Sequence, residues 1–153
     1  MFKLLLPLLE PNSASALSQA GTLLLRLAAG LFIVAFHGWP KMVQGIAHLQ
    51  HGAPWPLLEG VQMLGIPFPT FWAFATTVTY LIGELAVAAG FLTRFAALDV
   101  LGTLLMAVYA NSQLGRDNQM ALLYAMLFAG FALCGGGRYS VDAALFGRRA
   151  PNG

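Results

Sequence analysis

Four long apolar runs separated by short polar stretches organise this chain; they cover about 20–36, 71–92, 95–109 and 120–134. A soluble bundle of helices of this length would need a polar face, and "ALLYAMLFAGFALC" is apolar on every side. A helix apolar all round must lie in a large core or in lipid. Because a hydrocarbon core of ~30 Å is crossed by ~20 helical residues, the pattern predicts an all-α polytopic membrane protein with four transmembrane helices in a bundle. The second run is long enough unaided, whereas the third and fourth need polar ends such as Asn111, Ser112 and Gln119 to lengthen them.

The connections set the arrangement. Only "LTRF" stands between the second and third runs, which makes them antiparallel neighbours, and "NSQLGRDNQ" joins the third to the fourth. A long outer loop, 37–70, is rich in Pro, Gly, Trp and His. Pro40 is expected to stop the first helix there, with Trp39 in the headgroup belt and Lys41 snorkelling. A short helix over 42–50, ended by His51-Gly52 and Pro54, is expected along the membrane surface. The segment 1–19 is read as a retained interfacial stretch, because Pro7 and Glu10 cut its apolar run below the length of a secretory signal. The segment 135–153 is read as a cytoplasmic interfacial tail, Tyr139, Val141, Leu145 and Phe146 facing lipid. Four spans put both termini on one side with Lys3, Arg94, Arg138, Arg148 and Arg149, against Lys41 and Arg116 on the other. The positive-inside rule then places N and C termini in the cytoplasm of a bacterial-type inner membrane.

Composition narrows the function. Of 153 residues, 58% are hydrophobic and 9% charged, and the mean hydropathy is +0.71. So little charge excludes an ordinary soluble domain. The eight Lys and Arg are scattered rather than striped, which excludes nucleic acid as a partner. A single cysteine, Cys134, excludes an internal disulfide, a CxxC pair and a cysteine-held iron–sulfur cluster. "CGGGRYS" lacks the Lys-Ser/Thr ending of a phosphate loop. With no covalent cofactor motif, redox chemistry here needs a borrowed cofactor.

Several segments in order, "LRLAAGLFIVAFHGWPK", "LGIPFP", "GELAVAAGFLTRFAAL" and "ALLYAMLFAGFALCGGGRYSVDAAL", contain three motifs at helix ends. These are His-Gly-x-x-Lys from His37, Gly-x-x-Thr-Arg from Gly90 and Gly-Arg-x-Ser-x-Asp from Gly137. Together, over roughly Leu24 to Leu145, the chain resembles the DoxX family of small four-helix membrane proteins. That resemblance implies a small or accessory subunit of a quinone-linked oxidoreductase system. The family commonly carries a glutamate in helix two at a register that here falls on Tyr80, with Glu84 one turn later on the same face. An acid often seen at the start of helix four is replaced by Gln119.

Ionisable groups inside an apolar bundle are the sharpest chemical signal, since each is costly there. Arg26, Glu84 and Asp99 lie at similar depth, so one arginine is expected to satisfy two carboxylates. They and His37 are the catalytic candidates. Tyr80, Glu84 and Arg26 are the candidate contacts of a quinone head group. The three histidines, His37, His48 and His51, form a candidate metal site because His48 and His51 share a helical face. Small residues at Ala28, Ala29, Gly30, Gly83, Ala86, Gly90 and Gly102 are expected where helices touch. Beside the quinone-linked subunit stand two other readings: a non-catalytic anchoring or assembly subunit, and a small transporter or metal-handling protein. Expected partners are the lipid bilayer and a larger redox complex or further copies of the chain.

Overall fold

A computed structural model describes residues 16–146, and all regular structure within them is helical. The expectations for most of 1–19, for Lys3 and for Arg148 and Arg149 lie outside the described residues.

The first helical rod is longer than the sequence pattern suggests. Helix α1 (Ala16–Ile33) passes through a π-turn (Val34–Gly38) directly into α2 (Trp39–His51). Pro40 therefore does not end the helix, contrary to expectation. Proline has no N–H and its ring crowds the preceding turn. The wider turn relieves this, and the Trp39 N–H reaches back five residues to the Val34 carbonyl. The rod stops at Gly52, which adopts a left-handed conformation (φ 66°) and donates to the His48 carbonyl. Most of the expected outer loop is thus helical, since α3 (Pro56–Met63) follows after four residues.

The second rod repeats the device. Helix α4 (Pro69–Val78), a second π-turn (Thr79–Gly83) and α5 (Glu84–Ala89) run on continuously. A tight connection, with Gly90 at φ 75° and Leu92 at φ 45°, leads to α6 (Thr93–Gln113). Asn111, Ser112 and Gln113 belong to that helix, so polar residues extend the third run as expected. Helices α7 (Gln119–Cys134) and α8 (Val141–Phe146) complete the described chain.

Three helical stretches are long and apolar enough to cross a membrane: Ala16–His51, Pro69–Ala89 and Thr93–Gln113. Helix α7 is equally apolar but has 16 residues, about 24 Å at 1.5 Å per residue. Large apolar side chains such as Leu24, Leu31, Phe95, Met126 and Leu133 cover the outside of the bundle. No polar shell intervenes, and the molecule is an integral membrane protein.

Inside, α1 packs on α5, α5 on α6 and α6 on α7. Ile33, Tyr80, Val87, Val100 and Phe128 form the main core. A smaller core of Trp55, Leu58, Val61 and Ala73 holds α3 against α4. The closest approaches are made by glycine. A Cβ at Gly30 would stand 2.7 Å from the Glu84 carbonyl oxygen, and one at Gly38 2.6 Å from that of Tyr80. Gly38 is the point at which the two π-turns meet. Ala28 and Gly102, by contrast, face outward, and a Cβ at Gly102 would meet nothing within 4 Å.

These two classes of glycine give opposite expectations. Gly30→Ala forces α1 away from α5 and should destabilise by about 1–3 kcal/mol, the usual cost of overpacking. Gly102→Ala meets no neighbour and should be neutral or stabilising by up to ~1 kcal/mol through helix propensity. Thermal unfolding of both variants in detergent measures the contrast; equal shifts would contradict the packing described.

Candidate functional site

Arg26 sits nearly three turns into α1 and is completely buried. Its Nη2 donates to the Tyr139 carbonyl at 2.8 Å. Gly90 and Gly136 leave space for the guanidinium: a Cβ at Gly136 would lie 2.9 Å from Nη1, and one at Gly90 would collide with it. The chain after α7 folds back over this end of the bundle, bringing Asp142 to the start of α6. The Asp142 carboxylate accepts from the Leu92 N–H (2.6 Å), the Thr93 N–H (2.9 Å) and the Thr93 hydroxyl (2.8 Å). In return the Asp142 N–H donates to the Gly90 carbonyl at 2.8 Å. The carboxylate thereby caps a 21-residue helix and holds Leu92 in its left-handed conformation.

Desolvation acts to raise the Asp142 pKa, but the bonds from Thr93 and Leu92, together with the nearby Arg26 charge, outweigh it and hold it below the ordinary carboxylate value. The junction unites Gly-x-x-Thr-Arg and Gly-Arg-x-Ser-x-Asp, two motifs separated in the chain, around one arginine.

The predicted network of Arg26, Glu84 and Asp99 is not formed. Arg26 turns to Tyr139 and Asp142 instead. Asp99 faces outward, where its Oδ2 accepts from the Thr79 hydroxyl at 3.1 Å. Glu84 is completely buried, and neither carboxyl oxygen has a hydrogen-bond partner.

At the other end the helices enclose a cavity of about 590 Å³. Its polar lining includes His37, Lys41, Tyr80 and Tyr124, and its walls include Ile33, Phe36, Trp72 and Leu104. The π-turns supply this geometry. His37 lies in the first and Tyr80 in the second, and the contact of Gly38 with the Tyr80 backbone sets them side by side. Lys41 Nζ stands 4.7 Å above the centre of the Tyr80 ring, a cation–π contact. The His37 ring meets that of Tyr124 edge-on, centroids 6.2 Å apart. Glu84 lies one turn behind Tyr80, within electrostatic reach of both tyrosines.

The structure thus brings together two predicted residues, His37 and Tyr80, and adds two that were not singled out for chemistry. Lys41 was visible in His-Gly-x-x-Lys, one helical turn from His37. Tyr124 had no sequence signal, because it lies within an apolar helix far along the chain. Arg26 is at the opposite end and does not line the cavity, which removes it from the predicted head-group contacts.

The histidine metal site is also overturned. The Nδ1–H of His48 donates to the Ala53 carbonyl at 2.8 Å, and its ring lies 6.0 Å from that of Trp55. His51 is exposed near the end of α2, and His37 lines the cavity. Among the described residues no three His, Cys, Asp or Glu side chains come together as a metal site.

A sequence profile of the DoxX family matches residues 21–112. The chain belongs to the DoxX family. No curated protein and no solved structure matches it. The DoxX match takes in α1 to α6, hence Arg26, both π-turns and most of the cavity. Tyr124 and the segment carrying Asp142 lie beyond it. This DoxX protein therefore completes both ends of its matched region with residues from α7 and α8.

The junction generates a pH dependence. A carboxylate whose folded pKa is lowered contributes stability that is present above its unfolded value and lost as pH falls through the folded one. Below about pH 4, the ordinary aspartate range, the unfolding temperature of the wild type should therefore fall. Asp142→Asn should remove most of that acid sensitivity and cost about 1–3 kcal/mol at neutral pH, as for hydrogen bonds to a charged group. Unfolding curves of both proteins against pH measure it; parallel curves would contradict the role given to Asp142.

Proposed function

We propose that this protein is an accessory or small subunit of a quinone-linked redox system in a bacterial inner membrane, and that its cavity receives the quinone head group. The observation that carries this reading is the cavity's composition. Two phenols, an imidazole and an ammonium line this space together with apolar side chains such as Ile33, Phe36, Leu57, Trp72 and Leu104, while Gln44, Asn111, Arg116 and Asp117 add polar groups to its wall. Its size lies within the ~300–1,000 Å³ typical of small-molecule sites. A quinone matches those demands, having an apolar ring and tail with carbonyl oxygens that accept hydrogen bonds. When bound, it supplies the electron-carrying chemistry that no residue of this chain provides.

The roles follow from position. Tyr80 offers a hydroxyl at the cavity wall, and the Lys41 ammonium over its ring fixes that ring. His37 offers a ring nitrogen on the adjacent turn, with Tyr124 packed against it from α7. Phe36 and Trp72 are exposed on the apolar outside while also lining the cavity, so a lipid-soluble tail has an apolar way out. In a four-span arrangement the end bearing Arg94 and Arg138 faces the cytoplasm and the cavity, with Lys41 and Arg116, faces outward.

A second reading has its own support. The Arg26 junction orders α1, α6 and the returning chain without presenting a reactive group, as expected of a non-catalytic anchoring subunit. The two readings diverge at the cavity, because anchoring requires the junction and leaves Tyr80 and His37 without work.

Binding of a short-chain quinone analogue to the purified protein in detergent tests the proposal. Tyr80→Phe removes one donor and should weaken binding by about tenfold, equivalent to ~1.4 kcal/mol. Asp99→Asn, outside the cavity, should leave binding unchanged. Absence of saturable binding to the wild type, or equal affinity in Tyr80→Phe, would overturn it.

A further inference from the structure

We infer that Glu84 is the proton-exchanging group behind the cavity, connected to it through Tyr80. The inference rests on the cavity being the working site of the protein, though not on the identity of its ligand.

The first observation is that Glu84 has no structural work to do. It is fully enclosed, and both carboxyl oxygens lack a hydrogen-bond partner. Buried polar groups in folded proteins are nearly always bonded. An unpaired carboxylate in an apolar interior costs several kcal/mol, which the acid avoids by keeping its proton. Arg26 is the buried cation that would otherwise compensate it, but its one hydrogen bond goes to Tyr139 and its other two nitrogens do not bond Glu84.

Placement supplies the second observation. Glu84 follows immediately on the π-turn that carries Tyr80, and both side chains are buried on the inner side of the same rod. Four residues apart, they are neighbours along it. Tyr80 lines the cavity and lies within electrostatic reach of Glu84, so it is the residue of this rod that touches both the open space and the surroundings of the acid.

The other ionisable groups around Glu84 complete the picture. From α7 comes Tyr124, which also lines the cavity. From α6 comes Asp99, whose Oδ2 would lie 3.8 Å from a Cβ at neighbouring Gly83 but is held outward by Thr79. From α1, Gly30 presents only backbone to the Glu84 carbonyl. Exchange between Glu84 and the cavity therefore passes by way of a tyrosine, and Tyr80 is the one on its own rod. The step moves a proton only: neither Glu84 oxygen is hydrogen-bonded to Tyr80 at rest, so a side-chain rotation first brings the acid to the tyrosine oxygen, which takes its proton as the tyrosine passes its own to water in the cavity, and the reverse restores both.

Infrared spectroscopy of the full chain in detergent, transferred from H₂O to D₂O, tests this without any ligand. The wild type should show a carboxylic acid carbonyl band that is absent in Glu84→Gln and shifts on deuteration. In Tyr80→Phe the band should persist but exchange at least an order of magnitude more slowly. Glu84→Gln should unfold at the same temperature as the wild type or higher, since no bond is lost. Lack of a Glu84-dependent band, exchange at the wild-type rate in Tyr80→Phe, or marked destabilisation by Glu84→Gln would each overturn the inference. If the band behaves as expected while quinone analogues fail to bind, the quinone reading falls and the proton route stands.

Discussion

A guanidinium with no access to water must be answered from within the protein, and Arg26 imposes that demand on one end of this bundle. Its hydrogen bond to the Tyr139 carbonyl requires the chain to double back after α7. Once Tyr139 is in place, Asp142 comes within reach of the first N–H groups of α6. The short connection before α6, with Leu92 in a conformation unfavourable for a side chain, is then held by Asp142. Gly90 and Gly136 are necessary in the same sense, because a methyl group on either would occupy the guanidinium's space. Arginine, carboxylate and glycines thus respond to one problem, the burial of a charge: Nη2 is hydrogen-bonded, Nε and Nη1 have only the nearby Asp142 charge, and the arrangement ties the end of the chain to α1, α5 and α6.

The opposite end is built on a different principle. Where the first end closes by folding the chain back onto a buried charge, this one opens beside two widened helical turns. A π-turn inserts an extra residue in the helical repeat and is often found at functional positions. Here the two turns lie against each other, glycine to carbonyl. Each contributes one polar side chain to the cavity, His37 from the first and Tyr80 from the second. Closure at one end accompanies opening at the other: with α1, α5 and α6 tied together, α2 and α4 stay in contact, and the cavity opens between them and α3, α6 and α7.

The legible part of the fold was its class. Apolar runs without a polar face dictated membrane helices, and the tight "LTRF" connection dictated neighbours. Pro40 was misleading because a proline after an apolar run ordinarily marks an end, and its accommodation depends on a second helix pressing on Gly38. Asp99 looked interior because its run is apolar on both sides of it. Its outward position, beside Thr79 of the preceding rod, is a matter of helix rotation that uniform hydrophobicity cannot encode. The motifs at Gly90 and Gly137 were visible as signatures, but their meeting was not, since the bonds from Leu92 and Thr93 to Asp142 join residues 50 and 49 apart. The cavity was half visible: His37 and Tyr80 were singled out, whereas Tyr124 is one aromatic among many in α7.

The displacement of an acid by one helical turn has a physical consequence. With a glutamate at the Tyr80 position, the cavity wall would present a carboxylate to its contents, and Lys41 would pair with it directly. With tyrosine there, Lys41 finds an aromatic face instead, and the acid lies one turn deeper behind the ring. A phenol at that point of the wall donates a hydrogen bond without adding a further charge beside Lys41, while the carboxyl group lies one turn behind it. The arrangement separates the group that touches the cavity from the group that stores the proton. Such a separation lets a ligand meet a neutral donor at Tyr80 instead of a lysine–carboxylate pair, with the remaining charges of the wall, Arg116 and Asp117, coming from the connection between α6 and α7.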